Sequence, residues 1–398
     1  MKLKKLLAIL LTALMLIGVM APAAFAAAPT PSEKADLTFH ENGKFRVMVL
    51  ADVQDDENLS KITKKFITDA VAKYSPDLLI LTGDNIYGSG ARSPKKSEKA
   101  IRAVCDMLES TGVPYGVVFG NHDDQANNYS KEEQMKVYSE YPHNLSIDEN
   151  LWVDGEHYDA ELSHCGTYYI PVYASDGSGA VKYVFWMLDS GAYDPVNGGY
   201  DHVNEDQLAW FTATNEKLGK PASMAFQHII LPEVYNALEE VPAGTRESYI
   251  HLKKYYKLPD AVLDAGGHIG EAPNPSEVNG GEYDALKAAG NVSAVITGHD
   301  HTNSFILPYE DMLFINVPTC GVASYGETNY RGIRYFDIDE ATGEFTTDFI
   351  TYADMYAKEE PVEYAKYRFV SFWTEIELWF INLWMKIQNF FGVSNLVV

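Results

Sequence analysis

The chain has 398 residues, 46% hydrophobic and 22% charged, with a formal net charge of −25 at pH 7. That length buries one large core or two modest ones, and the composition excludes wholesale disorder, a collagen-like repeat and a solenoid. So acidic a surface repels nucleic-acid backbones and anionic membranes, so no nucleic-acid partner is expected. Three cysteines (Cys105, Cys165 and Cys320) are too few for a disulfide framework and leave room for one bridge at most.

Residues 1–26 read as a secretory signal peptide. Met1-Lys2-Leu3-Lys4-Lys5 is a positive start, 6–20 is apolar but for Thr12 and Gly18, and Ala24-Phe25-Ala26 is a small-x-small cleavage site. The apolar run is short for a spanning helix. Cleavage after Ala26 removes three lysines (Lys2, Lys4, Lys5) and no acid, which takes the charge from −25 to −28 (−25 − 3). The mature chain is therefore expected to be secreted or held at the cell surface.

From Lys44 short apolar runs alternate with amphipathic segments. Residues 45–51 (FRVMVLA) predict a strand, and 60–74 a helix, with Ile62, Phe66, Ile67, Ala70 and Val71 at helical spacing up to Pro76. DLLILT (77–82) predicts a fully buried strand, 96–110 a second helix and PYGVVF (114–119) the next strand. Strand alternating with helix is the signature of a layered α/β domain, placed at residues 40–355. Residues 124–180 show no sustained period and are expected to be a loop-rich insertion. Strands are predicted again at 182–189, 223–227 and 292–297, with a helix at 204–217 between the first two. Three further strands, near 312–317, 332–338 and 343–352, alternate and are expected to be antiparallel or at an edge.

The tail, 362–398, places Trp373, Ile376, Phe380, Trp384, Ile387 and Phe391 at steps of three and four, opposite Glu375, Asn382, Lys386 and Asn389. This aromatic amphipathic helix is expected to pack on the core. Self-association and binding at a membrane surface are the alternatives.

Five short motifs follow buried runs: Asp52-Val53-Gln54, Gly83-Asp84-Asn85-Ile86-Tyr87, Gly120-Asn121-His122-Asp123, Gln227-His228 and Gly298-His299-Asp300-His301. In layered α/β folds the carboxyl ends of strands form the ligand crevice, so these loops are able to converge. Together they offer two carboxylates, an amide oxygen, three imidazoles and a phenol. That oxygen and nitrogen set without thiolate suits iron, zinc or manganese better than calcium. An ionised carboxylate directly behind a buried strand is costly unless a cation meets it.

In order and spacing the motifs resemble those of the calcineurin-like metallophosphoesterases, in particular the branch of the purple acid phosphatases. The match runs from Asp52 to His301. The resemblance implies a four-layer α/β/β/α sandwich and two metal ions, iron paired with zinc, manganese or a second iron. It also implies hydrolysis of a small phosphate ester, a monoester first and a diester or nucleotide second, by attack of a metal-bound hydroxide on phosphorus. Carried over residue by residue, Asp52 and His301 hold the first ion, Asp84 bridges, and Asn121, His228 and His299 complete the second. His122 contacts the phosphate and protonates the leaving group, with Asp123 orienting it.

One position departs from the family. Gln54 stands where the common pattern has a histidine ligand, and an amide oxygen is a poorer donor. The purple branch uses a tyrosine three residues after the bridging aspartate, where this chain has Tyr87. Ligation by Tyr87 would imply ferric iron, leaving Gln54 beside the substrate. Asp55, Asp56 and Glu57 are expected in a solvated helix entry, and 266–283 in a loop at the rim of the site. A fold kept for binding alone, without catalysis, is the reading from a different class.

Overall fold

The computed structural model describes residues 36–90, 93–126, 129–146, 152–153, 156–157 and 162–391. The expected signal peptide at 1–26 and the tail beyond 391 lie outside the described residues. Twelve strands build two large sheets: β1 (Leu37–Thr38), β2 (Lys44–Leu50), β3 (Leu78–Thr82), β4 (Tyr115–Val118), β5 (Tyr168–Tyr173), β6 (Val181–Met187), β7 (Ala222–Phe226), β8 (Val292–Thr297), β9 (Phe305–Tyr309), β10 (Met312–Asn316), β11 (Gly332–Asp339) and β12 (Phe345–Thr351). The five-stranded sheet runs β12-β11-β2-β3-β4, and the seven-stranded sheet β1-β5-β6-β7-β8-β10-β9.

The sheets pack face to face. Val47, Val49, Leu78 and Ile80 from the first interdigitate with Phe185, Met187, Met224, Phe226, Ala294 and Ile296 from the second. Helices cover both outer faces. Phe66, Ile67, Ala70, Ile101 and Val104 of helices Lys61–Tyr74 and Pro94–Glu109 bury the back of the first sheet. Trp210, Phe211 and Leu286 of helices Glu205–Lys217 and Glu282–Ala289 bury the back of the second. The four layers are therefore α/β/β/α, as the family resemblance implied.

Local chemistry explains the elements. β3 is buried at every position because it is a parallel strand covered on both faces. Helix Lys61–Tyr74 starts where the Ser60 side chain accepts from the Ile62 N–H, and stops at Ser75, whose φ of 47° is left-handed. β2, β3 and β4 are parallel, as are β6, β7, β8 and β10, so the carboxyl ends of both sets lie at the same edge. A parallel bridge between Ala51 and Thr319 ties the two sheets together there.

Several expectations are corrected. The 124–180 segment contains helix Lys131–Ser139 and β5, an inner strand whose inward residues alternate. β10 pairs parallel with β8, and its antiparallel partner is β9, which the sequence reading passed over. β11 and β12 do pair antiparallel, with β12 at the edge, as expected. Cys105 and Cys320 are buried thiols outside any disulfide, as so few cysteines led one to expect. Asp55 is buried rather than solvated, accepting from the Asp56 and Ser60 N–H groups at 2.9 Å each, and burial raises its carboxyl.

Helix Pro361–Phe391 docks by a stripe different from the one expected. Tyr367 stacks on Tyr352 with ring centres 4.0 Å apart and donates to the Thr328 carbonyl. Thr374 accepts from the buried Arg331, and Glu375 accepts from the Thr328 N–H at 3.0 Å. Hydrogen bonds thus pull the polar side inward. Phe372, Trp373, Trp379, Phe380 and Trp384 are left more than half exposed on the outer side. Among the described residues no helix is long and apolar enough to cross a membrane.

Candidate metal centre

Five of the seven expected ligands stand two or three residues beyond a strand end, namely Asp52 after β2, Asp84 after β3, Asn121 after β4, His228 after β7 and His299 after β8, with Tyr87 and His301 farther along the same loops. The chain must turn there without losing the strand's aim. Asp52, Gln54, Asp84 and His299 all adopt positive φ (50°, 40°, 48° and 71°), conformations that cost about 1–3 kcal/mol each and gather at functional sites. Two glycines admit the side chains. A Cβ on Gly298 would sit 2.6 Å from Asp52 Oδ2, and one on Gly120 would collide with Asp84 Oδ1.

The side chains converge. Ligand atoms of Asp52, Asp84 and His228, all buried, lie within 4.8 Å of one another. His228 Nε2 is 3.3 Å from Asp84 Oδ2 and 3.1 Å from Asn121 Oδ1, and its Nδ1 meets the Thr82 carbonyl at 2.9 Å. His301 Nε2 is 3.4 Å from Asp52 Oδ1, with Nδ1 against the Tyr325 carbonyl at 3.0 Å. In both imidazoles a backbone carbonyl stands at Nδ1, the arrangement that would leave Nε2 as the inward lone pair metal ligation needs. The His299 ring lies 5.0 Å from that of His228 and meets Tyr200 edge-on at 4.3 Å.

Electrostatics fit a cation site. Burial opposes ionisation of Asp84, yet His228 and His122 outweigh it and hold the carboxyl below its usual range. Burial lowers His299 far below the ordinary imidazole value, so it is neutral and available as a donor. Asp84 Oδ1 accepts the His122 N–H at 2.7 Å. Asp84 Oδ2 and Gln54 Oε1 are buried oxygens without a hydrogen-bond partner among the described residues. Orphaned buried acceptors are rare, and a bound cation would satisfy Asp84 Oδ2.

Three further placements differ from expectation. Asp123 does not orient His122. Its carboxylate accepts backbone N–H groups from Gly120, Asn85 and Ile86 at 2.8, 3.2 and 3.0 Å, and so closes the loop that carries Asp84. The His122 ring is instead met at Nδ1 by Gln125 Oε1 at 2.7 Å, while its Nε2 faces Asp84 Oδ2 at 4.0 Å. Tyr87 is 41% exposed and meets His122 edge-on at 5.8 Å, whereas Gln54 is buried. Of the rim segment, Glu271 is drawn in, accepting from Thr302 and Tyr325 just behind His301. Tyr193 and Tyr200, stacked at 5.5 Å on a loop after β6, were missed because no motif surrounds them.

The profile of the calcineurin-like phosphoesterases matches residues 45–303, more than half of the chain. The chain belongs to the calcineurin-like phosphoesterase family. Among curated proteins this phosphoesterase is 26% identical to "Probable inactive purple acid phosphatase 29" of Arabidopsis thaliana, over 76% of this chain and 78% of that one. It is 25% identical to "Phosphatase DCR2" of Saccharomyces cerevisiae, over 67% of this chain and 46% of that one. Among solved structures, a dimetal phosphatase from Danio rerio aligns with a TM-score of 0.40 at 14% identity, covering 77% of this chain and 93% of that one.

Proposed function

We propose that this phosphoesterase hydrolyses phosphate monoesters at a two-metal centre. The observation that carries the reading is the buried convergence of Asp52, Asp84 and His228, with Nε2 of His122 facing it from the open side. Asp52 and His301 would hold one ion, Asn121, His228 and His299 the other, and Asp84 both. When bound, such a pair supplies a nucleophile from water near neutral pH and neutralises phosphate charge. The protein's own part is orientation. The His122 N–H fixes one oxygen of Asp84, backbone carbonyls fix the His228 and His301 rings, and His122 Nε2 stands where a leaving oxygen needs a proton.

For the first ion, the buried unpaired oxygen of Gln54 supports amide ligation over the exposed Tyr87. The proposed pair remains iron with zinc, manganese or iron, and the visible spectrum separates the two arrangements. A phenolate on ferric iron absorbs strongly in the visible, and its loss in Tyr87→Phe would assign that ligand. A colourless iron-loaded protein that keeps two ions in Tyr87→Phe and loses one in Gln54→Ala assigns Gln54. The pattern of residues 1–26 supports export, which fractionation of an expressing cell would test.

The deciding experiment compares p-nitrophenyl phosphate with its bis-ester, using protein loaded with each metal. Preference for the monoester supports the reading, and preference for the diester replaces it with a phosphodiesterase. Two bound ions without turnover of either would favour the non-catalytic reading, in keeping with the word "inactive" in the names of several relatives.

A further inference from the structure

A second group of polar side chains touches the centre without belonging to any motif. Gln125, three residues after His122, places Oε1 2.7 Å from His122 Nδ1. Its Nε2 donates to the Tyr193 hydroxyl at 2.8 Å. The same hydroxyl accepts from Asn121 Nδ2 at 3.1 Å, and Asn121 turns its Oδ1 toward His228. Tyr193 belongs to the other sheet, on the loop after β6. An antiparallel bridge and ring stacking hold it to Tyr200, and Tyr200 in turn abuts His299.

The donor and acceptor count gives this cluster a direction. A glutamine amide has one accepting end and one donating end, and a phenol oxygen accepts up to two hydrogen bonds. Asn121 Nδ2 and Gln125 Nε2 both donate to the Tyr193 oxygen, and with its Nε2 committed there the amide oxygen of Gln125 faces His122. His122 Nδ1 is then the N–H donor, and Nε2 is the ring nitrogen left to face the centre. The reversed amide would set two N–H groups against each other whenever His122 is charged, the form that a proton donor to the leaving oxygen requires. We propose that Gln125 and Tyr193 are a positioning pair for His122. Tyr193 sets the orientation of the Gln125 amide, and Gln125 sets the tautomer and aim of the imidazole. The proposal rests on the phosphoesterase reading for its kinetic consequence, but not for the hydrogen bonding itself.

The test compares Gln125→Ala, Gln125→Glu and Tyr193→Phe with the parent on two monoesters, p-nitrophenyl phosphate and glycerol phosphate. An aryl leaving group departs without a proton, whereas an alkyl oxygen needs one. General acid catalysis contributes about 10²–10⁴-fold, so Gln125→Ala is expected to lower kcat on glycerol phosphate by about 10²-fold and on the aryl ester by under about threefold, with KM little changed. Gln125→Glu keeps an acceptor at Nδ1 and should recover most of the loss, and Tyr193→Phe should fall between. Equal losses on both esters, or none on either, would overturn the proposal. Long-range proton–nitrogen NMR of the histidine side chains in metal-free protein reads the tautomer without turnover. It should show His122 protonated at Nδ1 in the parent and altered in Gln125→Ala. A bare Nδ1 in the parent refutes the positioning pair, and does so even if neither ester is hydrolysed and the phosphoesterase reading itself has failed.

Discussion

The two sheets meet the centre in different ways. The five-stranded sheet delivers Asp52, Asp84 and Asn121 each directly from a parallel strand end, so strand and ligand are contiguous in sequence. The seven-stranded sheet delivers His228 and His299 in the same manner, but it also sends the loop after β6 across to the facing edge, where Tyr193 reaches Asn121 and Gln125. The first sheet supplies charge at fixed points, and the second adds a support that crosses between sheets. Ligands that follow strands tolerate little change because the strand itself aims them. A crossing loop is only as well placed as its anchor, here the buried ion pair of Lys131 and Asp189, 3.0 Å apart.

That contrast predicts where damage is greatest. Asp84→Asn should abolish stable loading of two ions, read by elemental analysis, and lower turnover by at least about 10³-fold, since the lost charge stabilisation is worth several kcal/mol. Near-normal loading in that variant would show that the strand-borne carboxylate is not the bridge. Next comes the anchor of the crossing loop. Lys131→Met strands the buried Asp189 carboxylate and should cost about 3–5 kcal/mol in urea denaturation, while Lys131→Met with Asp189→Leu should recover much of it. A small cost for the single variant would mean that the loop holds by other contacts.

A third effect depends on pH. Burial raises the Glu282 carboxyl, at the back of the seven-stranded sheet, to about 8 from an ordinary 4.5. The folded protein therefore keeps a proton that the unfolded chain releases, and stability from this group falls as pH rises from about 4.5 to about 8. Glu282→Gln should raise the thermal midpoint at pH 8 and leave it nearly unchanged at pH 4.5. An equal shift at both pH values would exclude a retained proton. The smallest change is expected at a solvent-facing position. Trp379→Ser, on the outer side of the C-terminal helix, should alter stability by no more than about 0.5 kcal/mol.

Much of the site was legible because its residues are local to strands. A buried run such as LLILT followed at once by Gly-Asp is a physical anomaly in one dimension, since a charge there needs a partner. Two such carboxylates, Asp52 and Asp84, with three more polar motifs behind strands in family order, pointed to the candidate set. The roles of Asp123 and Gln125 were not legible. Both lie close to His122 in sequence, and only the helical turn at Asn121–Asp124 decides which of them faces the ring and which faces backbone N–H groups. Tyr193 was hidden for a plainer reason, since 72 residues separate it from Asn121.

In this protein the layered α/β class, the strands β2, β3, β4, β7 and β8 and the polar residues that follow them were readable from the sequence. Those features rest on short-range patterns, namely apolar runs, periodicity and a turn residue two positions on. The tertiary structure alone decided that β10 runs parallel to β8, that Tyr87 lies exposed while Gln54 is buried, and that the C-terminal helix turns Glu375 inward and its tryptophans outward. Each of these depends on which neighbour completes a hydrogen bond or fills a face. That neighbour comes from a distant part of the chain, and local periodicity carries no record of it.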